Sequence, residues 1–342
     1  MSIGVLLSIQ VSKISRDEYE RVLGSCTPNP PIEQLPVWQE YDSTTPGRSF
    51  WGYICVSDGA EPVACGAFMQ FQTHGYRFLR SRHGLVWAHV PSKEEEEAVL
   101  GAVAAFVRAD DAKQIFIRFA VQHESALTRP CLSTLPYDAT VVIDLTGGDD
   151  EILARMKPRG RRDVRKALRE CTLSFSDETA RATESFDEYY EVMVETAERD
   201  GFTPAPESDY RNMLTFLGPE HCRLFAGRDG DRVITWTIAT ISGTRATRYY
   251  GASRTDPARF LATDRLIYFE CCELGKMGCT EYDQMGIGSE FQPAMMSLNT
   301  FKTKFAKDGV RPVAPDRDLP VKRGFYNALV AVKSLRDKVR PS

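Results

Sequence analysis

Histidine is scarce in this chain. The five histidines, at 74, 83, 89, 123 and 221, fall at no ligand spacing from the cysteines, which excludes the common zinc frameworks. No GxSxG, Walker A or GxGxxG sequence occurs. The hydrolase elbow, the P-loop and the dinucleotide fingerprint are therefore missing in their recognisable forms. No segment approaches the ~20 apolar residues of a membrane span. The N-terminal IGVLLSIQV is short and lacks the basic start and cleavage site of a signal peptide. The nine cysteines are odd in number and contain no CxxC pair. Without an export signal they read as reduced, mostly buried thiols of a cytoplasmic protein. The formal net charge of −4 announces no nucleic-acid partner, although a local patch can still bind one.

What is present points to two domains. A chain of 342 residues exceeds a typical single core. Residues 1–12 alternate as a first strand, and Ile14–Leu23 has helical spacing behind Ser15. Ser49–Val56, Pro62–Gln72 and Tyr76–Trp87 alternate, carry aromatics and are parted by turn residues, so they read as strands. Ser92 with Glu95 forms a capping box before a helix through Val107. Gln114–Ala120 and Ala139–Leu145 read as further strands, and together these elements predict a mixed sheet flanked by helices.

After residue 148 the order repeats. Pro158 suits a helix start, and the following helix is dense in cations. Arg162, Lys166 and Arg169 share one face with Arg165 alongside, and Arg159 and Arg161 precede them. This is either a solvated surface or the footprint of a phosphate-rich partner. Ser185 with Glu188 repeats the capping pattern, and Tyr210–Leu217 forms a short helix. Arg223–Gly227, Val233–Ile241 and Thr244–Tyr250 read as a meander, followed by a helix over Arg259–Met277 that stops at Gly278. A strand then runs to Asp283. Behind it come Gly286, Gly288 and, in a short helix, Phe301 beside Lys302. A lysine next to a ring can stabilise an oxyanion and stack on a substrate, or the pair can be a core phenylalanine and a surface lysine. Pro312 and Pro315 mark a linker. The tail Val321–Val339 is an amphipathic helix, either packed with a wet basic face or lying on an anionic membrane.

Several phrases, in order, resemble the Fem family, the aminoacyl-tRNA-dependent transferases that add amino acids to peptidoglycan stem peptides. They are Gln34-x-x-x-Trp38, RRDVRKALREC at 161–171, FDEYYEVMVETAERDGF at 186–202 with Tyr210, YYGAS at 249–253, EYDQMGI at 281–287 and NTFKTKF at 299–305. The resemblance covers roughly residues 30–310 and fits the short members without a helical arm. It implies an α/β (α+β) fold of two tandem GNAT, or acetyltransferase-like, domains. These would span 1–148 with 316–342, the C-terminal helix returning to the first domain, and 149–315.

By the same resemblance, Lys302 and Phe301 are catalytic, the lysine stabilising transition-state charge and the phenylalanine positioning the tRNA end. Trp38, Tyr41, Tyr210, Tyr250 and Asp283 would line the substrate groove. Arg159, Arg161, Arg162, Arg165, Lys166 and Arg169 would hold tRNA. Aminoacyl-tRNA is then the co-substrate, with no metal or other cofactor. The acceptor is an amine, in a muropeptide precursor or a related peptide. The site is cytoplasmic or at the inner membrane surface.

Two family cations expected at the acceptor are missing. Tyr41 stands at one position, and Ala205, Pro206 and Glu207 at the other, which speaks against a nucleotide-linked acceptor. Three alternatives stay open: the same chemistry on a small natural-product acceptor, an acyl-CoA-dependent N-acyltransferase, and a non-catalytic RNA- or muropeptide-binding protein. Against the CoA reading, RTDPARFLATDR after YYGAS lacks the glycine loop that cradles pyrophosphate.

Overall fold

Residues 8–132, 134, 136–255 and 260–339 are described in a computed structural model. The chain divides into two compact units, Met1–Pro136 with Ala314–Ser342, and Tyr137–Val313.

The first unit opens with β1 (Ile9–Ile14) and α1 (Arg16–Cys26), whose N-cap Ser15 accepts from the Glu18 amide. Residues 1–7 of the expected first strand lie outside the described residues. Then come α2 (Pro36–Asp42), β2 (Arg48–Asp58), β3 (Glu61–Thr73), β4 (Tyr76–Ser81), β5 (Val86–Trp87), α3 (Lys93–Asp110) and β6 (Gln114–Ala120). The expected single strand Tyr76–Trp87 is thus two, β4 and β5. The capping box forms as the spacing predicts: Ser92 Oγ accepts from the Glu95 amide at 3.2 Å.

The second unit holds β7 (Ala139–Asp144), α4 (Asp149–Arg155), α5 (Pro158–Glu170), β8 (Ser174–Asp177), α6 (Thr179–Glu184), α7 (Asp187–Asp200), α8 (Glu207–His221), β9 (Cys222–Asp229), β10 (Arg232–Ser242), β11 (Arg245–Ser253), α9 (Ala262–Lys276), β12 (Glu281–Gly286), α10 (Asn299–Lys302) and β13 (Val310–Pro312). The start of the helix expected from Arg259 lies outside the described residues. The chain then returns to the first unit with β14 (Asp316–Pro320) and α11 (Arg323–Val339).

The first sheet runs β1-β2-β3-β4-β6-β14, with β5 on β3, and the second runs β13-β7-β12-β11-β10-β9-β8. Both are mixed: β4–β6 and β11–β12 are parallel pairs, each joined through a helix. The alternation of Ala139–Leu145 marks a strand correctly, but its position in the chain suggests the wrong sheet. It pairs with β12 and β13 in the second unit. Periodicity shows which face of a strand is buried and is silent about its neighbour. The cap expected from Ser185 and Glu188 also differs. The N-cap is Phe186, Ser185 turns to Asp187, and Glu188 is drawn to Arg228 at 2.6 Å.

Each sheet buries its apolar face under helices. In the first unit, Ile54, Phe68, Leu79, Ile117 and Phe119 pack against Val99, Val103 and Val107 of α3. In the second, Val141, Ile143, Phe225 and Tyr282 pack against Ile152, Val164, Leu266 and Leu274 of the covering helices. Each such side chain contributes about 1.5–3 kcal/mol by leaving water.

A buried ion pair ties the returning segment to the first sheet. Arg118 Nε and Nη2 donate to Asp318 at 2.7 and 3.0 Å. Asp318 also accepts from the Leu132 amide and the Tyr326 hydroxyl, each at 3.0 Å. Tyr326 lies in α11, so the helix is fastened to β6 and β14 through its first turn.

Candidate active site

The second sheet is parted at its parallel pair. β11 and β12 pair at Arg245–Glu281, Ala246–Tyr282 and Thr247–Asp283. Past that point β11 continues to Ser253 against β10, while β12 bends away and stays on β7 at Gly286–Thr140. The bend has a local cause: Met285 adopts a left-handed φ of 60° inside a bulge. Asp283 fixes that turn. Its carboxylate accepts from the Met285 amide at 2.7 Å and makes close contacts with Thr140 Oγ1 and Arg245 Nη2. Asp283 is 7 % exposed and fully engaged, so it organises the loop.

Gly286 follows the turn. A Cβ there would lie 2.5 Å from the Tyr137 ring, so only glycine lets the strand end pass beneath that ring. The Gly286 carbonyl accepts from Lys302 Nζ at 2.7 Å. Asn299 sets the approach of the lysine. Its side chain accepts from the Gly288 amide at 2.7 Å and donates to the Gly288 carbonyl at 2.8 Å, pinning the start of α10 to the glycine loop. Burial, reinforced by the nearby Arg248 guanidinium and opposed by Asp283, lowers the Lys302 ammonium to about 8. A lysine in that state is a cation at neutral pH that carries little hydration, as an oxyanion partner should be.

Arg248 is the first β11 residue past the last pair with β12. It donates to Thr237 Oγ1 at 2.9 Å and lies 3.6 Å from the carboxylate of Glu270. Its guanidinium lies against Gly251, where an added Cβ would meet Nη2 at 2.7 Å. Glu270 is completely buried and accepts from Tyr282 Oη at 2.6 Å. Burial, with Glu270 beside it, pushes the Tyr282 phenol well above its usual range, so it stays a donor.

Phe301 and Lys302 diverge. Phe301 is half-buried against the core and meets Phe305 edge-on at 5.4 Å. Lys304 is buried, with its ammonium 3.5 Å from Asp163 and in close contact with Asp264. The cation-rich helix is fastened to the same turn. The Lys157 amide donates to the Lys304 carbonyl at 3.0 Å and Lys157 Nζ to Thr303 Oγ1 at 2.9 Å. Gly160 sits where a Cβ would be 2.1 Å from the Lys304 carbonyl. Two features far apart in sequence, the basic helix and the Phe301–Lys302 turn, therefore form one body.

Among the cations of α5, Arg159, Arg162, Arg165 and Arg169 are exposed. Lys166 is half-exposed beside the Phe260 ring at 5.0 Å. Arg161 differs. It donates to the carbonyls of Ala154 and Met156 at 2.9 and 2.7 Å and caps the end of α4, so its charge is spent inside the unit.

The expected groove residues are largely core. Trp38 and Tyr41 belong to α2 of the first unit and are 2 % and 4 % exposed. Tyr210 stacks on Phe186 at 5.4 Å and is buried, its hydroxyl accepting from the Ala205 amide. Large aromatic rings gain most by leaving water, so a motif tyrosine often serves the core. Tyr250 is half-buried on the parted stretch of β11, edge-on to Tyr210 at 4.9 Å. Arg248, Glu270, Thr140 and Tyr137 also stand at this site and lie outside the expected set. The visible signals were an arginine inside an aromatic strand and an acid on the apolar face of a helix. Among the described residues, no three of His, Cys, Asp and Glu gather as a metal site.

The acetyltransferase (GNAT) domain family matches residues 157–292, and no curated protein sequence matches the chain. Among solved structures the chain is similar to FemX, at 17% identity and a TM-score of 0.72, covering 93% of this chain and 99% of that one. It is similar to the C-terminal domain of a protein described as a lysylphosphatidylglycerol synthetase from Agrobacterium fabrum, at 13% identity and TM-score 0.56, over 94% and 98% of the two chains. It is also similar to a tandem GNAT protein from the clavulanic acid biosynthesis pathway, at 12% identity and TM-score 0.53, over 92% and 99%. Identities this low speak to architecture alone, and they agree that this chain folds as two GNAT-type α/β domains in tandem.

Proposed function

We propose that the second unit is an acyltransferase site that moves an amino acid from aminoacyl-tRNA to an amine acceptor, forming an amide. One observation carries this reading. The half-buried Lys302 ammonium is held by Gly286 at the mouth of the parted strands, on the same turn that anchors the exposed cations of α5. The likeness to FemX supports it.

The acceptor nitrogen attacks the ester carbonyl of the charged tRNA. A C–N bond forms, the carbonyl oxygen becomes an oxyanion, and Lys302 stabilises it. The C–O bond to the terminal ribose then breaks, the ribose oxygen takes up a proton and the nitrogen loses one. An activated ester and an amine need alignment and charge stabilisation above all. Phe301 positions the tRNA end, Tyr250 lines the parted strand and Asp283 keeps the loop in register. Arg159, Arg162, Arg165, Lys166 and Arg169 meet the tRNA backbone, whereas Arg161 is withdrawn from that role by its bonds to α4. Trp38, Tyr41 and Tyr210 act as core supports.

The acceptor in this reading is a peptidoglycan stem-peptide precursor, and the reaction is cytoplasmic because charged tRNA is. The likeness to a tandem GNAT protein of a biosynthetic pathway favours one second reading, N-acylation of a small molecule from acyl-CoA. Transfer from a mixture of charged tRNAs to an amine acceptor, with and without prior RNase, separates the two. RNase-sensitive product supports the first reading. RNase-resistant product that requires acyl-CoA supports the second.

A further inference from the structure

The C-terminal helix has a face that no described residue of its own unit covers. α11 is held through Tyr326, which is 1 % exposed, and through Leu329, half-buried against Phe78 and Phe116. Residues 330–336 are then exposed at every position. At about 100° per residue, Phe325, Val332 and Leu335 fall on one side, turned away from Tyr326. They are 48 %, 65 % and 65 % exposed. An apolar stripe in water is unfavourable unless something covers it.

The charge on the same stretch indicates what does. Lys322, Arg323, Lys333 and Arg336 lie between Val321 and Arg336, and the first acid after them is Asp337, in a chain of formal net charge −4. We propose that α11 docks on an anionic lipid bilayer, with Phe325, Val332 and Leu335 entering the headgroup boundary and the cations meeting lipid phosphates. An RNA backbone would satisfy the cations and leave the stripe in water. A second copy of the helix would cover the stripe but bring Lys333 and Arg336 of both copies close together. A bilayer with anionic headgroups satisfies both features. Among the described residues no helix is long and apolar enough to cross a membrane, so the helix lies on the surface. The inference stands on α11 alone and holds whichever reaction the second unit performs.

Vesicle flotation of the full chain tests it. Equimolar phosphatidylglycerol and phosphatidylcholine vesicles are expected to bind the protein, and pure phosphatidylcholine at least about tenfold more weakly. Lys333→Gln with Arg336→Gln should weaken binding about thirty-fold. Val332→Ser with Leu335→Ser should weaken it more than about tenfold, with unchanged melting and circular dichroism showing that the fold is intact. No binding to the anionic vesicles at low salt overturns the proposal. So does unaltered binding in the serine pair, which would mean charge adsorption without insertion. A dimer in sedimentation that the serine pair splits would assign the stripe to a second copy. Loss of tRNA affinity in the glutamine pair with vesicle binding unchanged would assign the cations to RNA.

Discussion

The two units contain the same parallel strand pair, closed in one and open in the other. In the first unit β4 and β6 shift register once, between Arg77 and Leu79, and then stay paired until β4 ends at Ser81, opposite Phe119. Beyond β6 the returning strand β14 completes the sheet, and Arg118 is held bidentate by Asp318. In the second unit β11 and β12 part after Thr247–Asp283, and the charges at the gap are arranged differently. Lys302 donates to one carbonyl, and Arg248 lies close by with Thr237 and Glu270 beside it. Buried charge that is fully paired organises a structure, whereas Lys302, desolvated with Arg248 nearby, is held below the usual ammonium range.

The largest effect should come from opening the closed unit. Asp318→Ala takes the bidentate carboxylate from the buried Arg118 and should cost about 3–5 kcal/mol of stability, read as a lower denaturant midpoint. Lys302→Ala should leave the denaturant midpoint near wild type and slow transfer about a hundred- to thousandfold. If the two variants behave alike, both in stability and in rate, the units do not differ as described.

A pH profile sharpens the comparison. Because burial and Arg248 hold Lys302 near 8, its ammonium is present below that pH and lost above it, so the transfer rate should fall on the alkaline side. Arg248→Met removes the like charge, and the alkaline limb should move upward. A limb that stays in place would separate Arg248 from Lys302. The smallest effect is electrostatic. Neutralising Arg162, Arg165 and Arg169 should weaken tRNA binding and lower the slope of log K against log salt by about one for each phosphate left unneutralised. The same change at Arg161 should instead loosen the end of α4.

Much of this architecture was legible from local pattern. Ser92–Glu95 and Ser15 predicted real helix starts, and the alternation in Pro62–Gln72 predicted β3. Tertiary competition hid the rest. Ser185–Glu188 has the spacing of a cap, but Glu188 gains more by reaching Arg228. Ala139–Leu145 has the alternation of a strand, but its sheet is set by partners beyond residue 280. At the candidate site, Asp283, the glycines and Lys302 were visible because they lie in one stretch. Arg248 and Glu270 reach it only through sheet register and the packing of α9, which local spacing does not encode. The resemblance implies groove roles for Trp38, Tyr41 and Tyr210, and the core buries all three because large rings stabilise most when fully covered.

The parted strands and Lys302 are proposed to form an aminoacyl-transfer site. Single-turnover transfer from labelled aminoacyl-tRNA to an amine acceptor, by wild type and Lys302→Ala with tRNA affinity measured in parallel, tests it most directly. RNase-sensitive product is expected from wild type and almost none from the variant, at equal tRNA affinity. Wild-type rates in Lys302→Ala would contradict it.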